Sequence, residues 1–131
     1  MKKILLFVLL LIVGFSSGQE PINIDELDER DEMVYTKDTN EPYSGTVFLL
    51  YNSEQKEKEI NYKDGKKDGK WTSWYENGQK WSEGTYKDGY KDGLWTVYNI
   101  YLKGQKKSEE IYKDGNRIYY KRWDKDGNLI E

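Results

Sequence analysis

The chain has no histidine and no cysteine among its 131 residues. Those two absences together remove the commonest nucleophiles, general bases and transition-metal ligands. Without cysteine, an exported form carries no disulfide and must hold its fold by packing and sheet hydrogen bonds alone. Lipoprotein anchoring through an N-terminal cysteine is excluded on the same ground. A one-signed basic stripe, the electrostatic footprint of nucleic-acid binding, is missing as well. From Tyr43 to Glu131 there are 17 basic and 15 acidic residues, finely mixed in the manner of a solvated surface. The segment from Gln19 to Pro42 is the one-sided stretch, with nine acidic residues against Arg30 and Lys37. Long hydrophobic runs are lacking too. The longest, Ile4–Val13, is short of the ~20 apolar residues that span a bilayer.

That short run has a context of its own. "MKKILLFVLLLIVGFSSG" places two lysines before it and small residues after it, the layout of a secretory signal peptide over residues 1–18. The expected cut lies between Gly18 and Gln19, which makes the mature chain exported, either periplasmic or secreted. Residues 19–42 then form an acidic lead-in with a short capping strand, either disordered or a short helix docked through Ile22, Ile24, Leu27 and Met33. Covering the first edge strand in this way would guard it against edge-to-edge association.

Aromatic residues are abundant: 12 tyrosines, 5 tryptophans and 3 phenylalanines. Each buries a large area, so an aromatic layer can replace an aliphatic core. They recur on a lattice. Gly45, Gly69 and Gly93 are spaced by 24, as are Tyr62 and Tyr86, and Trp71 and Trp95. Tyr112 follows Tyr86 by 26, which puts a two-residue insertion within "NIYLKGQ". Internal repetition of this kind implies stacked copies of one supersecondary unit. The units run over about 43–67, 68–91, 92–116 and a truncated 117–131.

Each unit reads as a β-hairpin. In "WTSWYENGQKWSEGTY", Asn77-Gly78 lies between two aromatic-rich runs, the strongest short hairpin signal. A two-residue type I′ turn there pairs Glu76 with Gln79, faces Trp74 with Trp81, and faces Trp71 with Gly84, whose missing side chain leaves room for an indole. Alternation puts Trp71, Ser73, Tyr75, Gly84 and Tyr86 on one face, with Val47, Leu49, Tyr51, Ile60 and Tyr62 before them and Trp95, Val97 and Tyr112 after them. That face is the expected core. The other carries the columns Leu50/Trp74/Tyr98, Glu59/Glu83/Glu109 and Glu57/Trp81/Lys107. "YKDGKKDGKW" and "YKDGYKDGLW" read as connectors in which two Asp-Gly pairs return the chain to the next hairpin.

Units with G-x-W, an aromatic pair, N-G-Q-K and Y-K-D-G resemble the bacterial variant of the MORN repeat. "RDEMVYTKDTNEPYSG" looks like that family's lead-in. The resemblance covers Tyr43 to Glu131. It implies an all-β fold, a single-layer antiparallel β-meander of stacked hairpins. Bacterial relatives are often labelled antitoxin components, and eukaryotic ones are linked to lipids and protein scaffolding. The insertion before Gly104 and the divergent last unit, where Tyr120 and Trp123 stand for the two tryptophans, depart from the pattern.

Few residues carry chemistry. Glu59, Glu83 and Glu109 would stand ~10 Å apart, two strand spacings, beyond the separation of a glycosidase pair. On an exposed sheet they lack burial to shift their pKa values, so the expectation is a non-enzyme with no cofactor. "DKDGN", Asp124 to Asn128, has Leu129 where a calcium loop needs its sixth-position glycine, and reads as a turn. Leu50, Trp74, Trp81, Tyr98 and Trp123 remain as candidate partner-binding residues. Such rings anchor protein partners or stack on sugars, and they also serve to cover a thin sheet. The expected function is a protein-interaction scaffold, with polysaccharide binding and toxin neutralisation as alternatives. Lipid contact is disfavoured by the glutamates and the absence of a polybasic patch.

Overall fold

The computed structural model describes residues 20–131. The expected signal peptide, residues 1–18, lies outside the described residues, among which no helix is long and apolar enough to cross a membrane.

Ten strands follow in order: β1 (Ile22–Asn23), β2 (Leu27–Arg30), β3 (Met33–Thr36), β4 (Gly45–Leu50), β5 (Lys56–Lys63), β6 (Lys66–Trp74), β7 (Lys80–Lys87), β8 (Tyr90–Tyr98), β9 (Lys106–Lys113) and β10 (Asn116–Arg122). β4 to β10 form an antiparallel meander in chain order, and β1 adds in parallel beside β4. The all-β hairpin meander is therefore the fold, as the periodicity and the resemblance both imply.

Two kinds of turn alternate along the meander. At one end Asp64-Gly65, Asp88-Gly89 and Asp114-Gly115 all have positive φ, and Lys63 pairs directly with Lys66, as Lys87 does with Tyr90 and Lys113 with Asn116. These are two-residue turns of the type I′ kind, whose twist matches that of the strands. The connectors expected between units are thus much shorter than the sequence suggests. Only the first Asp-Gly of each stretch turns the chain. The second lies inside the next strand: Tyr62 pairs with Lys67 and Ile60 with Trp71, so Asp68, Gly69 and Lys70 bulge between them. The bulge has a use. The Asp68 carboxylate accepts a hydrogen bond from the Asp88 N–H at 3.1 Å, and the Gly89 N–H donates to the Lys67 carbonyl at 2.8 Å. One unit earlier the Ser44 hydroxyl accepts from the Asp64 N–H at 2.8 Å. The second Asp-Gly of the first stretch, Asp68-Gly69, thus holds the Asp88-Gly89 turn of the next unit.

At the opposite end the expected two-residue turn is replaced by a longer one. The Gly78 N–H donates to Tyr75 O at 2.9 Å and the Tyr75 N–H to Gln79 O at 2.8 Å. Gly78 has φ 85°, while Asn77 is not left-handed. Pairing through Trp71–Gly84 and Ser73–Ser82 follows the expected register, but Trp74 pairs with Lys80 and not with Trp81. Trp81 is the extra residue of a bulge. Glu57 and Lys107 occupy the same bulge position in their units. The units are also stitched end to end: the Tyr51 hydroxyl donates to Trp74 O at 2.7 Å, and the Tyr75 hydroxyl to Tyr98 O at 3.1 Å.

The acidic lead-in is ordered, its short helix being a single 3-10 turn and the rest of it strand. A 3-10 turn, Ile24–Glu26, is capped by Asn23 and leads into the β2–β3 hairpin. Leu27, Val34 and Tyr43 pack with Val47, Ile60 and Tyr62 as the main core, flanked by Ile22, Ile24, Leu49 and Trp71. The Val34 N–H donates to Gly65 O at 2.9 Å, the Gly65 N–H to Tyr43 O at 2.8 Å, and the Tyr43 N–H to Val34 O at 3.0 Å. Residues 22–43 are thereby tied to the first two strands of the meander.

Candidate functional site

The sheet has one face that the lead-in covers over β4–β6 and that continues beyond it. Its rows follow from register. Ser73, Ser82, Val97 and Ser108 are consecutive cross-strand partners, and the three serines are buried. Beside this row Val47, Ile60, Trp71 and Gly84 are likewise partners. The indole that lies against Gly84 belongs to Trp95, whose Cδ2, Cε2 and Cγ are the atoms that a side chain at this position would meet first. Trp95 is 4 % exposed. It meets Trp71 with ring centroids 5.1 Å apart and Tyr86 edge-on at 5.1 Å, and its Nε1–H donates to Thr85 O at 3.1 Å.

Trp81 joins this face. The bulge turns it away from Trp74, and its ring stands 5.9 Å from Tyr75. With Trp71, Ser82, Trp95, Val97 and Ser108 it lines an open groove of about 490 Å³. At 42 % exposure Trp81 is the most accessible tryptophan among the described residues. Small side chains form the floor and aromatic rings the walls. Cations stand where the first unit has apolar cover: buried Tyr43 is succeeded at 24-residue spacing by Lys67 and Lys91. Lys67 Nζ lies 5.4 Å from the Tyr86 ring centroid, and Lys91 Nζ lies 4.3 Å from that of Trp95 and 4.8 Å from that of Tyr112. Burial, and then the hydrogen bond its hydroxyl donates to Glu110 at 2.5 Å, push the Tyr112 phenol up to about 12.

The opposite face keeps two of the expected columns. Leu50, Trp74 and Tyr98 pair with Lys56, Lys80 and Lys106. Glu59, Glu83 and Glu109 each form an ion pair with the lysine three residues earlier, at 2.7 Å for Lys56–Glu59 and 2.6 Å for Lys80–Glu83. The Tyr98 hydroxyl donates to Glu83 Oε1 at 2.7 Å. Lys80 and Tyr98, hydrogen-bonded to it, hold the Glu83 carboxyl below the usual carboxylate range, while burial and the same Glu83 bond push the Tyr98 phenol up to about 12. Trp74 and Tyr98 line a groove of about 620 Å³ with Asn77, Gln79, Asn99 and Lys103.

The candidate residues are therefore divided. Trp74 and Tyr98 share one groove, Trp81 belongs to the other face, and Leu50 sits a unit away, 41 % exposed. Trp123 lines a separate groove with Tyr101 and Ile130, under the Lys121 ammonium at 5.1 Å from its ring centroid. At the "DKDGN" turn the Asp124 carboxylate accepts from the N–H groups of Asp126 and Asn128, at 2.9 and 2.8 Å, and the Asn128 backbone and side-chain bonds lead in keeping its pKa low. No cluster of three metal-ligating side chains occurs among the described residues. No protein-family model matches the chain, and no curated protein matches it at a meaningful level.

Proposed function

We propose that this chain is an exported, non-enzymatic repeat protein that binds a polypeptide partner on the open part of its covered face. One observation carries the reading. Over β4–β6 that face holds a polypeptide, the chain's own acidic residues 22–43, through Leu27, Val34 and Tyr43. Over β7–β9 the same rows continue as the Trp81–Trp95 groove, with nothing upon it among the described residues. A segment covering it would meet aromatic walls, which dominate protein–protein binding energy. It would also meet Lys91 and Lys107, while Glu110 in the same lining is already engaged by Tyr112 and Arg117, so a partner with acidic residues around an apolar anchor fits best, as the lead-in itself does. The bacterial MORN-like repeats that the sequence resembles are compatible with such a role, and a toxin bound for neutralisation is one form that the partner could take.

A second reading has its own support. On the opposite face Trp74 and Tyr98 stand among the amides of Asn77, Gln79 and Asn99, a combination suited to stacking on a polysaccharide and hydrogen-bonding its hydroxyls. Capture from the cell envelope by wild type, a Trp81→Ala/Val97→Asp variant and a Trp74→Ala/Tyr98→Ala variant separates the two. The scaffold reading expects one protein lost with the first variant and kept with the second. Protein capture unchanged in the first variant, with glycan binding lost in the second, would overturn it in favour of polysaccharide.

A further inference from the structure

The three Asp-Gly turns of the meander are equivalent by the repeat, yet they are not equally covered. A Cβ built at Gly65 would touch Met33 and the Val34 carbonyl, and one at Gly115 would touch the Tyr90 ring. One at Gly89 meets nothing within 4 Å. Gly89 lies between β7 and β8, in the interior of the strand order and not at an edge. The hydrogen bonds differ in the same way. The Gly65 N–H donates to Tyr43 O at 2.8 Å, and the Gly89 N–H donates to Lys67 O, the equivalent carbonyl 24 residues on, also at 2.8 Å. In the first unit Val34 closes a ring of bonds: its N–H donates to Gly65 O at 2.9 Å and its carbonyl accepts from the Tyr43 N–H at 3.0 Å. In the second, no backbone N–H reaches Gly89 O among the described residues. Lys67 supplies the matching donor. Lys63 and Lys66 close their turn as a hydrogen-bonded pair, so Tyr62 and Lys67 form the next, non-hydrogen-bonded pair, whose N–H and C=O groups point away from the partner strand. The Lys67 N–H therefore faces the Gly89 turn, on the same side as the carbonyl that Gly89 already uses.

This open pair borders a groove of about 640 Å³. Glu29, Asp31, Glu32 and Asp88 line it together with Lys66 and Lys67, and none of them is in an ion pair among the described residues. Carboxylates therefore outnumber ammonium groups there by four to two. Tyr86 forms part of this wall and also of the Trp81 groove, so the two grooves run into one another. Tyr62, the counterpart of Tyr86, is buried in the core with Val34, whereas Tyr86 is only half-buried. The lead-in of a second copy does not fit here. Its acids would meet Glu29, Asp31 and Glu32, and juxtaposed like charges suppress such a pairing.

We propose that the Gly89 turn is a second backbone dock of the Val34 kind, filled by an extended segment of the polypeptide partner. An apolar residue of that segment donates its N–H to Gly89 O, accepts from the Lys67 N–H and lies over Tyr86. Basic residues flank it and face the carboxylates of the groove, while an acidic part of the segment runs on to Lys91 and Lys107. This dock rests on the polypeptide reading of the Trp81 groove and fixes how the partner lies there. The probe is a labelled peptide that copies Met33–Thr36 between flanking lysines, followed by anisotropy at low salt and by backbone amide and carbonyl shifts of the whole protein. Saturable binding is expected, with the largest shifts at the Gly89 carbonyl and the Lys67 N–H. N-methylation of the valine removes the donor meant for Gly89 O and should weaken binding by about fivefold. Replacing the flanking lysines with glutamates should weaken it as well. Lys66→Tyr puts a tyrosine at the position from which Tyr90 covers Gly115 one unit later. It should cover Gly89, remove both bonds and weaken the peptide by about tenfold or more, with the urea midpoint showing that the variant is folded. No saturation, equal binding of the N-methylated peptide, full binding to folded Lys66→Tyr, or shifts at Gly65 through exchange with the lead-in would each overturn the dock. The Trp81 groove reading survives those results if Trp81→Ala/Val97→Asp still loses the captured envelope protein, and falls if capture is unchanged.

Discussion

Adding one methyl group at Gly84 tests how the aromatic layer is built. Gly84 has ordinary extended backbone, so Gly84→Ala should gain up to about 1 kcal/mol from the lost backbone freedom of the unfolded chain. The new Cβ, however, would lie less than 3.0 Å from three ring atoms of Trp95, a separation that real contacts do not show. Trp95 has little freedom to yield. It is packed on Trp71 and Tyr86, hydrogen-bonded to Thr85 O and faced by Lys91. Overpacking a filled site costs about 1–3 kcal/mol, and disturbing two aromatic pairs adds about 0.5–1.5 kcal/mol each. The clash wins, and net destabilisation of about 1–5 kcal/mol follows once the gain is subtracted. Urea unfolding followed by tryptophan fluorescence measures the loss, and near-ultraviolet circular dichroism reports whether the Trp95 environment has changed. Gly78 is a useful comparison, because a Cβ there meets nothing within 4 Å and the cost of Gly78→Ala comes only from its φ of 85°. Unaltered stability and an intact Trp95 signal in Gly84→Ala would refute the packing argument.

Asp68→Ala should cost about 1 kcal/mol, by removing the acceptor for the Asp88 N–H, and amide exchange should quicken at the Asp88-Gly89 turn of the next unit and not at Asp64-Gly65. Tyr51→Phe should cost a similar amount, about 1 kcal/mol, with the loss of its bond to Trp74 O read from the urea midpoint; no shift would mean that the units are held by register alone. At alkaline pH, burial first and then the nearby Glu29 carboxylate push the Tyr62 phenol from 10.0 up to about 12. The folded value is the higher one, so this contribution is whole below pH 10 and is lost as pH rises from 10 to about 12. It amounts to about 2–3 kcal/mol, and the slope of stability against pH over that range should flatten in Tyr62→Phe; an unchanged slope would contradict the burial argument.

What the sequence reveals here depends on the kind of feature. Spacing by 24 gives the repeated hairpins of the meander, and the Asn77-Gly78 turn gives the pairing of Trp71 with Gly84, which holds because the bulge at Trp81 offsets the longer turn and register is fixed wherever one face is buried. Bulges leave a fainter trace. Alternation alone puts Trp81 with Glu83, and only the backbone shift at Lys80 moves it across the sheet. A signal does exist: the column Glu57/Trp81/Lys107 mixes acid, indole and ammonium, while the columns in true register keep one chemistry. The β2–β3 hairpin was hidden for another reason. Its turn residues Asp31 and Glu32 have φ 52° and 62° without a glycine or asparagine, and the surrounding acids mask Val34, which is 1 % exposed. The second Asp-Gly reads as a turn because the same dipeptide serves turns and bulges.

Neighbouring residues on β8 offer the most direct test of polypeptide docking. Val97 lines the Trp81 groove and Tyr98 the groove on the opposite face. A photo-crosslinking phenylalanine analogue at position 97 or, separately, at position 98 would be activated in intact cells and the adducts separated by mass. A discrete protein adduct from position 97 that is absent from position 98 is the predicted result. An adduct from position 98 alone, or none from position 97 in cells where the protein is folded and exported, would contradict it.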